Sequence, residues 1–405
     1  MTPPSAAPTA LERCVGDACH FIEQVWSRVP LYRRAADPTA FADLIDLDDV
    51  DHLIAEAGLR FPALRVVKGG SKLLPAAFTR SGKVGGLTVP DLVDPAAVYE
   101  QFASGATVVL TSLHRHWPAL TQFCRELELE LTHPVQVNLY LTPPEAQGLD
   151  LHYDTHDVFV LHLHGEKSWQ VFERAVEAPL AHQHGRVDPE RPGERLLAET
   201  LAPGDALYVP RGFVHAAVTE RLASAHLTVG ILAYTWVDLL RALVHEAEGE
   251  PAMRAALSPG FASRSRRELG AEVETMLGRL AAWVREADPE TLADGLQRRF
   301  WDSRRPALRG QLQRLLALDE VADDTWVRRR PEVPLRVTPP DTGIALELPD
   351  RTIHVPEQAA PAVTHLLEGD GHRVVELKRW LDADGRRVLV RRLIREGVLE
   401  QVERE

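Results

Sequence analysis

The stretch LDLHYDTHDVFVLHLHGEKSW, residues 149–169, packs four histidines, three aspartates and one of only five lysines in the chain into twenty-one positions. Within it, DVFVLHLH is one of a series of short runs that alternate or are β-branched. On a β-strand, residues i and i+2 point to the same face, so His152 and Asp154 can offer an imidazole and a carboxylate to one point while Tyr153 faces away. Taken alone, this pair fits a half-buried polar strand as well as it fits half of a metal site. The partner must come from elsewhere in the chain.

GDALYVPRGFVH, residues 204–215, meets that need. Gly204 and Asp205 make a turn, a short apolar strand follows, Pro210 to Gly212 make a second turn, and His215 opens the next strand. His152, Asp154 and His215 together would be a facial triad of two histidines and one carboxylate, which leaves three positions of an octahedral Fe(II) open. Structural zinc, by contrast, takes a closed tetrahedron. An isolated HxD carries little weight, and any one of seventeen histidines is more often structural than a ligand. HxD followed about sixty residues later by G-x5-P-x-G-x2-H, within one β-rich segment, is far harder to obtain by chance.

Lys167 adds a second signal. The chain holds 5 Lys against 41 Arg, so a Lys thirteen residues after Asp154 asks for a reason. A compact ammonium on a flexible stem can reach into a barrel and pair with one carboxylate. The distal carboxylate of 2-oxoglutarate, whose keto-acid end would chelate the iron, is such a partner. The alternative is a surface Lys after the Gly165 turn, although alternation points Lys167 and Trp169 inward together.

Outward from these motifs, ALRVV, ATVVLTS, VQVNLYLT, SWQVFE, DALYVP and SAHLTVGILAY continue the pattern, separated by Pro, Gly and Asp turns, and predict an antiparallel jelly roll over residues 60–236. Helical stretches precede it, as in FADLIDLDDVDHLIAEAG. After Trp236 the apolar period changes to 3.6, which predicts a helical domain over 236–335. RRRPEVPLRVTPPDTG, residues 328–343, reads as a Pro-rich linker. Residues 341–405 then read as strand, helix, helix and helix with a terminal strand, a winged-helix-like order.

Composition bounds the partners. The formal net charge is −13, and residues 1–235 carry 19 Lys/Arg against 29 Asp/Glu, while 236–335 carry 16 against 17. An acidic surface repels phosphate backbones and attracts basic polypeptides, so nucleic acid is disfavoured as primary ligand and a basic protein substrate is favoured. Residues 341–405, with ten basic and thirteen acidic side chains, offer little phosphate footprint for a winged helix. Cys14, Cys19 and Cys124 form no CxxC pair and fit a reducing compartment. The opening Pro/Ala-rich residues lack a secretory pattern, and Asp238 and Arg241 interrupt the longest apolar run, so neither export nor a membrane span is expected and a cytoplasmic location is.

VNLYLTPPEAQGLDLHYDTHDVFVLHLHGEKSW, with PGDALYVPRGFVHAAV and SAHLTVGI, resembles the JmjC-type ribosomal oxygenases, a cupin-like group that includes histidyl and arginyl hydroxylases of ribosomal proteins. The resemblance implies a JmjC double-stranded β-helix over 1–235, a helical dimerisation domain over 236–335 and a C-terminal winged helix over 341–405. It implies iron binding by His152, Asp154 and His215, the 2-oxoglutarate carboxylate on Lys167, and a cosubstrate pocket lined by Tyr140, Asn138 and Thr228. It also implies a 2-oxoglutarate-dependent dioxygenase that hydroxylates an Arg or His of a ribosomal protein and forms a homodimer. The same chemistry on a small metabolite or peptide, or a non-catalytic cupin or winged-helix regulator, remains as the alternative. One departure stands out: His162 occupies a position where relatives carry Gln, and His164 adds a second imidazole on the same face. Either could support a ligand or contact the substrate, but a solvated position is favoured for both.

Overall fold

The computed structural model describes residues 8–402 apart from 147–149, 186, 220, 305–308, 332 and 339–342. The chain divides into two compact units, one through Ala233 and one from Tyr234.

The strands of the first unit are β1 (Leu31–Arg33), β2 (Leu64–Lys68), β3 (Ser71–Lys72), β4 (Thr79–Val84), β5 (Leu87–Val93), β6 (Thr107–Leu110), β7 (Val135–Thr142), β8 (His152–Tyr153), β9 (Asp157–His164), β10 (Lys167–Arg174), β11 (Arg195–Leu201), β12 (Ala206–Val209), β13 (Phe213–Thr219) and β14 (Ser224–Ile231). One sheet runs β1-β12-β9-β14-β7-β6-β2-β3, a second runs β11-β10-β13-β8, and β4 and β5 form a separate hairpin. Neighbours pair antiparallel throughout the two larger sheets.

The period-two alternation sorts side chains into two cores. In β9, Phe159 and Leu161 join the large core that also takes side chains of the N-terminal helices, whereas Val158 and Val160 point the other way. There they meet Leu207 and Val209 of β12 and, from the second sheet, Trp169, Val171, Leu201 and Phe213. The second cluster therefore lies between the two sheets, as in a jelly roll. Each such Val, Leu or Phe contributes roughly 1.5–3 kcal/mol on burial. A slip of one residue in β9 would exchange the two faces, which pins the register and with it every polar side chain aimed between the sheets.

In the second unit the predicted helices appear as Trp236–Ala247, Arg266–Glu286, Pro289–Asp302 and Gln311–Leu316. Reciprocal caps start two of them: Thr235 with Asp238, and Ser265 with Glu268. Among their described residues Phe300 is the buried large apolar side chain, while Trp236 is 80% and Leu316 78% exposed.

The expected linker is where the structure departs from the sequence reading. Trp326–Arg329 is a strand paired with Leu399–Gln401 and His372–Arg373, and Arg336–Thr338 pairs with Ile344–Leu348. Val321, Val327 and Val333 are buried in one core with Leu346, Val363, Leu377, Ile394 and Leu399. Residues before 341 thus belong to the C-terminal module rather than to a helical domain ending at 335. The prolines misled: Pro331 follows the central strand Trp326–Arg329 and Pro334 precedes the edge strand Arg336–Thr338, so both lie outside the ladders, where the missing N–H costs no strand pairing. The expected strand in ALELPDRTIHV is a hairpin, Ile344–Leu348 with Arg351–Val355, and the expected helix in VVELKRWLD is a 3-10 turn, Val374–Arg379. None of the helices is long and apolar enough to cross a membrane, among the described residues.

Candidate metal centre

His152 and His215 sit directly opposite each other on the β8–β13 ladder, which brings their ring centroids to 4.4 Å. Asp154, two residues beyond His152, places Oδ2 3.7 Å from His215 Nε2. One nitrogen of each ring and one carboxylate oxygen lie within 4.8 Å of one another. Both imidazoles are aimed by the same device. His152 Nδ1 donates to the Asp150 carbonyl at 2.7 Å and His215 Nδ1 to the Phe213 carbonyl at 3.1 Å, each two residues back in the chain. Those protons fix the tautomer and leave both Nε2 lone pairs free, the arrangement that supports metal-ligating histidines. Burial, with His152 alongside, pushes His215 down to about 4, against the opposing pull of Asp154, so the imidazole is neutral and able to bind a metal near neutral pH. The turn before β13 depends on Gly212: its φ is +84°, and a Cβ there would stand 2.0 Å from the Val176 carbonyl oxygen.

Lys167 opens β10 and is 3% exposed. Gly165 makes this possible at φ +66°, where a Cβ would strike the Ala223 carbonyl at 2.0 Å. The ammonium donates to Thr142 Oγ1 at 3.1 Å, and among the described residues it forms no ion pair with a carboxylate. Burial alone lowers Lys167 from 10.5 to about 8. A buried cation held by a hydroxyl is costly, and an anionic ligand would remove the cost. His152, Asp154, His215 and Lys167 all line one cavity of about 130 Å³, whose apolar wall includes Val158, Val160, Trp169 and Val209. The donor set of two imidazoles and a carboxylate suits Fe(II), and an ammonium with no carboxylate partner among the described residues suits a dicarboxylic acid.

The profile of the JmjC domain matches residues 112–239, a span that contains all four of these side chains. The chain is 31% identical over 229 residues to ribosomal oxygenase 1 of Rattus norvegicus, covering 56% of this chain and 37% of that protein. It is 29% identical over 228 residues to the bifunctional lysine-specific demethylase and histidyl-hydroxylase NO66 of Drosophila simulans, covering 55% of this chain and 26% of that one. The chain therefore spans about a third of the curated relatives it matches. Over nearly its whole length it shares the fold of Escherichia coli YcfD, a ribosomal oxygenase solved with cobalt and 2-oxoglutarate: TM-score 0.50, 17% identity, 95% of this chain and 98% of that one. The resemblance read from the motifs is the one these comparisons find.

The remaining expected site residues separate. Tyr140 and Thr228 line the cavity. Burial and the Asp154 carboxylate raise Tyr140 to about 12, so its hydroxyl keeps its proton and can donate. Asn138 faces Thr228 across the β7–β14 ladder but is not part of the cavity wall; its Oδ1 accepts the Ser112 N–H at 3.0 Å and so holds the loop after β6. Asn138→Ala should cost about 1 kcal/mol of stability, the net worth of one hydrogen bond, and leave the 2-oxoglutarate Michaelis constant unchanged. Thermal unfolding and succinate-formation kinetics check the two halves.

His162 is not solvated. It is fully buried, with Nε2 3.0 Å from the Gly165 carbonyl, and burial lowers it to about 4. His164, next on that face, is exposed as expected. A residue absent from the sequence reading is His226, which lines the cavity, is 3% exposed, and is held well below its ordinary range by burial and then by Lys167. Its ring stacks on Tyr140 at 5.2 Å and 6°, and Trp169 meets it edge-on at 5.5 Å. The signal was present: His226 precedes Thr228 by two in SAHLTVGI and must share its face.

Tyr140 and His152 also border a more open cleft of about 340 Å³, lined in addition by Arg65, Lys72 and Asp150. Two cations against one acid line this mouth, so the acidity of residues 1–235 belongs to the wider surface.

Proposed function

We propose that the chain is an Fe(II)- and 2-oxoglutarate-dependent oxygenase that hydroxylates a basic side chain, Arg or His, of a ribosomal protein. The observation that carries the chemistry is the shared cavity: a His-His-Asp set and an ammonium that has no carboxylate partner among the described residues. The substrate class rests on the names of the relatives and on the acidic balance of the surface. His152, Asp154 and His215 would hold the iron, Lys167 and Tyr140 the distal carboxylate of the cosubstrate, and His226 the stacking that fixes the Tyr140 ring. Bound iron supplies activation of O₂, with 2-oxoglutarate oxidised to succinate and CO₂ and one oxygen atom placed in a substrate C–H bond. Val158, Val160, Trp169 and Val209 exclude water from the cosubstrate, and the outer cleft takes the substrate side chain, Asp150 offering the anionic contact.

Demethylation of methyl-lysine uses the same chemistry and appears in the name of one relative. Among the described residues the outer cleft has one aromatic side chain, Tyr140, which favours hydroxylation over an aromatic cage. The test is succinate formation with Fe(II), with and without a ribosomal-protein extract, followed by mass spectrometry for a gain of one oxygen atom. Stimulation by the extract should fade as salt brings the Debye length to about 8 Å at 0.15 M, because long-range attraction drives the encounter. Extract-independent turnover with no oxidised protein would return the substrate to the small-molecule class.

We read the helices 236–316 as a homodimer interface. Trp236, Leu240 and Val244 form an exposed apolar stripe at helical spacing on one helix, as do Val273, Leu277 and Val284 on another, more apolar surface than a solvated face carries. Light scattering should give twice the 45.0 kDa chain mass at micromolar concentration, and Trp236→Ser with Leu240→Ser should shift the species toward monomer. The C-terminal hairpin and helices are read as a winged-helix module with nucleic acid disfavoured by charge, and the protein as cytoplasmic, supported by its three free cysteines.

A further inference from the structure

In the second unit, far along the chain from the JmjC motifs, three side chains converge that the oxygenase reading leaves unused. His365 lies in the last turn of the helix Ala360–Leu367, His372 opens the strand His372–Arg373, and Glu376 lies in the 3-10 turn Val374–Arg379. The reversal at residues 368–371 folds the strand back on the helix and brings the two imidazole centroids to 4.1 Å. Glu376 Oε2 stands 3.2 Å from His365 Nε2 and 3.3 Å from His372 Nδ1, and the three donor atoms lie within 4.8 Å of one another.

We propose that His365, His372 and Glu376 form a second metal site, for a divalent transition-metal ion of the zinc type, which clips three elements of the C-terminal module together. The spacing is the first argument. A tetrahedral ion with bonds of about 2.0–2.2 Å to nitrogen and oxygen keeps its ligand atoms roughly 3.3–3.5 Å apart. The two carboxylate–imidazole separations, 3.2 and 3.3 Å, lie at the short end of that spacing. Orientation is the second. His372 Nε2 faces the Glu368 carbonyl, and a proton there leaves the Nδ1 lone pair aimed at the centre of the triangle. Glu376 spends Oε1 on the Arg373 N–H at 3.1 Å, which leaves Oε2 as a single ligand oxygen.

Chemistry narrows the occupant. Two imidazoles and one carboxylate suit zinc and its neighbours cobalt, nickel and copper, whereas magnesium and calcium require a shell of oxygens. Trp380 packs 5.4 Å from the His365 ring and walls one side. The side chains retain 25%, 15% and 34% exposure, enough for an ion to enter and for water to complete the tetrahedron. Without an ion, the same triangle is a carboxylate bridging two imidazoles.

The test uses the full chain with Asp154→Ala to disable the first centre, and cobalt(II) as probe. Calorimetry should show one bound equivalent, with the visible band of tetrahedral cobalt and a rise in unfolding temperature, and magnesium should not compete. Adding His372→Ala should remove the equivalent, the band and the thermal shift. Glu376→Gln, which preserves the shape of the side chain, should do the same, so that a misfolded histidine variant cannot settle the matter alone. In the otherwise native protein, Glu376→Gln should leave 2-oxoglutarate turnover intact. Absence of cobalt binding in the Asp154→Ala chain overturns the site and leaves only the hydrogen-bonded triangle. Cobalt that survives both changes but disappears with His215→Ala also overturns it, because the ion then sits at the remnant of the first centre.

Discussion

Asp154→Ala is expected to abolish 2-oxoglutarate turnover and iron binding while leaving the fold in place. Asp154 is the one anion among the three donors, and His215 Nε2 at 3.7 Å would lose its nearest carboxylate. Loss of a supporting contact around a metal ligand costs roughly 10–100-fold in affinity, so loss of the ligand itself should exceed that range. The fold survives because the tie between this loop and β13 is made by backbone: the Gly212 N–H donates to the Asp154 carbonyl at 2.9 Å, and alanine keeps that carbonyl. The check pairs succinate formation with thermal unfolding. The metal-free variant should unfold within a few degrees of the native chain, and added Fe(II) should raise the midpoint of the native chain alone. Full turnover in the variant would remove the centre from consideration.

Lys167→Ala should raise the 2-oxoglutarate Michaelis constant by roughly 100-fold or more, because deleting one partner of a buried ion pair costs about 3–5 kcal/mol. Iron affinity should be unaffected, which separates this effect from a collapsed site. A pH dependence follows from the same burial. The free protein holds Lys167 near 8, below its ordinary 10.5, so the ammonium is the main form below about 8 and the neutral amine above it. The cosubstrate carboxylate needs the ammonium. Affinity should therefore be at full strength below about pH 8 and fall about tenfold per pH unit above it, a plateau and slope that calorimetric titration from about pH 7 to about pH 9.5 would show. Lys167→Ala should lose the slope as well as the affinity. An unchanged Michaelis constant, or a native chain whose affinity is flat through this range, would remove the carboxylate role from Lys167.

How much of this was legible in the chain depended on the range of the physics involved. His152, Asp154 and Lys167 could be placed from alternation and a turn, because neighbouring residues on a strand have fixed relative directions. The partner His215 needed only a strand-turn-strand pattern to be recognised as a candidate. Tyr140 and Thr228 came from the family resemblance, and the strand periodicity is consistent with both. Asn138 obeys the periodicity too, yet its amide is drawn to the Ser112 N–H, a contact 26 residues away that no local pattern contains. His162 was misjudged for a related reason: polarity suggested solvent, but β9 is covered on both faces, and a carbonyl at Gly165 satisfies one of its nitrogens. His226 escaped notice although its position in SAHLTVGI marks it as inward.

The second unit shows the limit more sharply. Helices with reciprocal caps, Thr235 with Asp238 and Ser265 with Glu268, announce themselves within four residues. The strand Trp326–Arg329 does not, since its partners Leu399–Gln401 and His372–Arg373 lie far along the chain and its neighbourhood is rich in proline. Local periodicity and turn chemistry, which act over a few residues, determined the strands, the helices and the candidate ligands. Only the tertiary structure decided which of those side chains share a cavity, that Lys167 has no carboxylate partner there among the described residues, and that His365, His372 and Glu376 meet, because those facts depend on ladder pairing and burial between segments far apart in sequence.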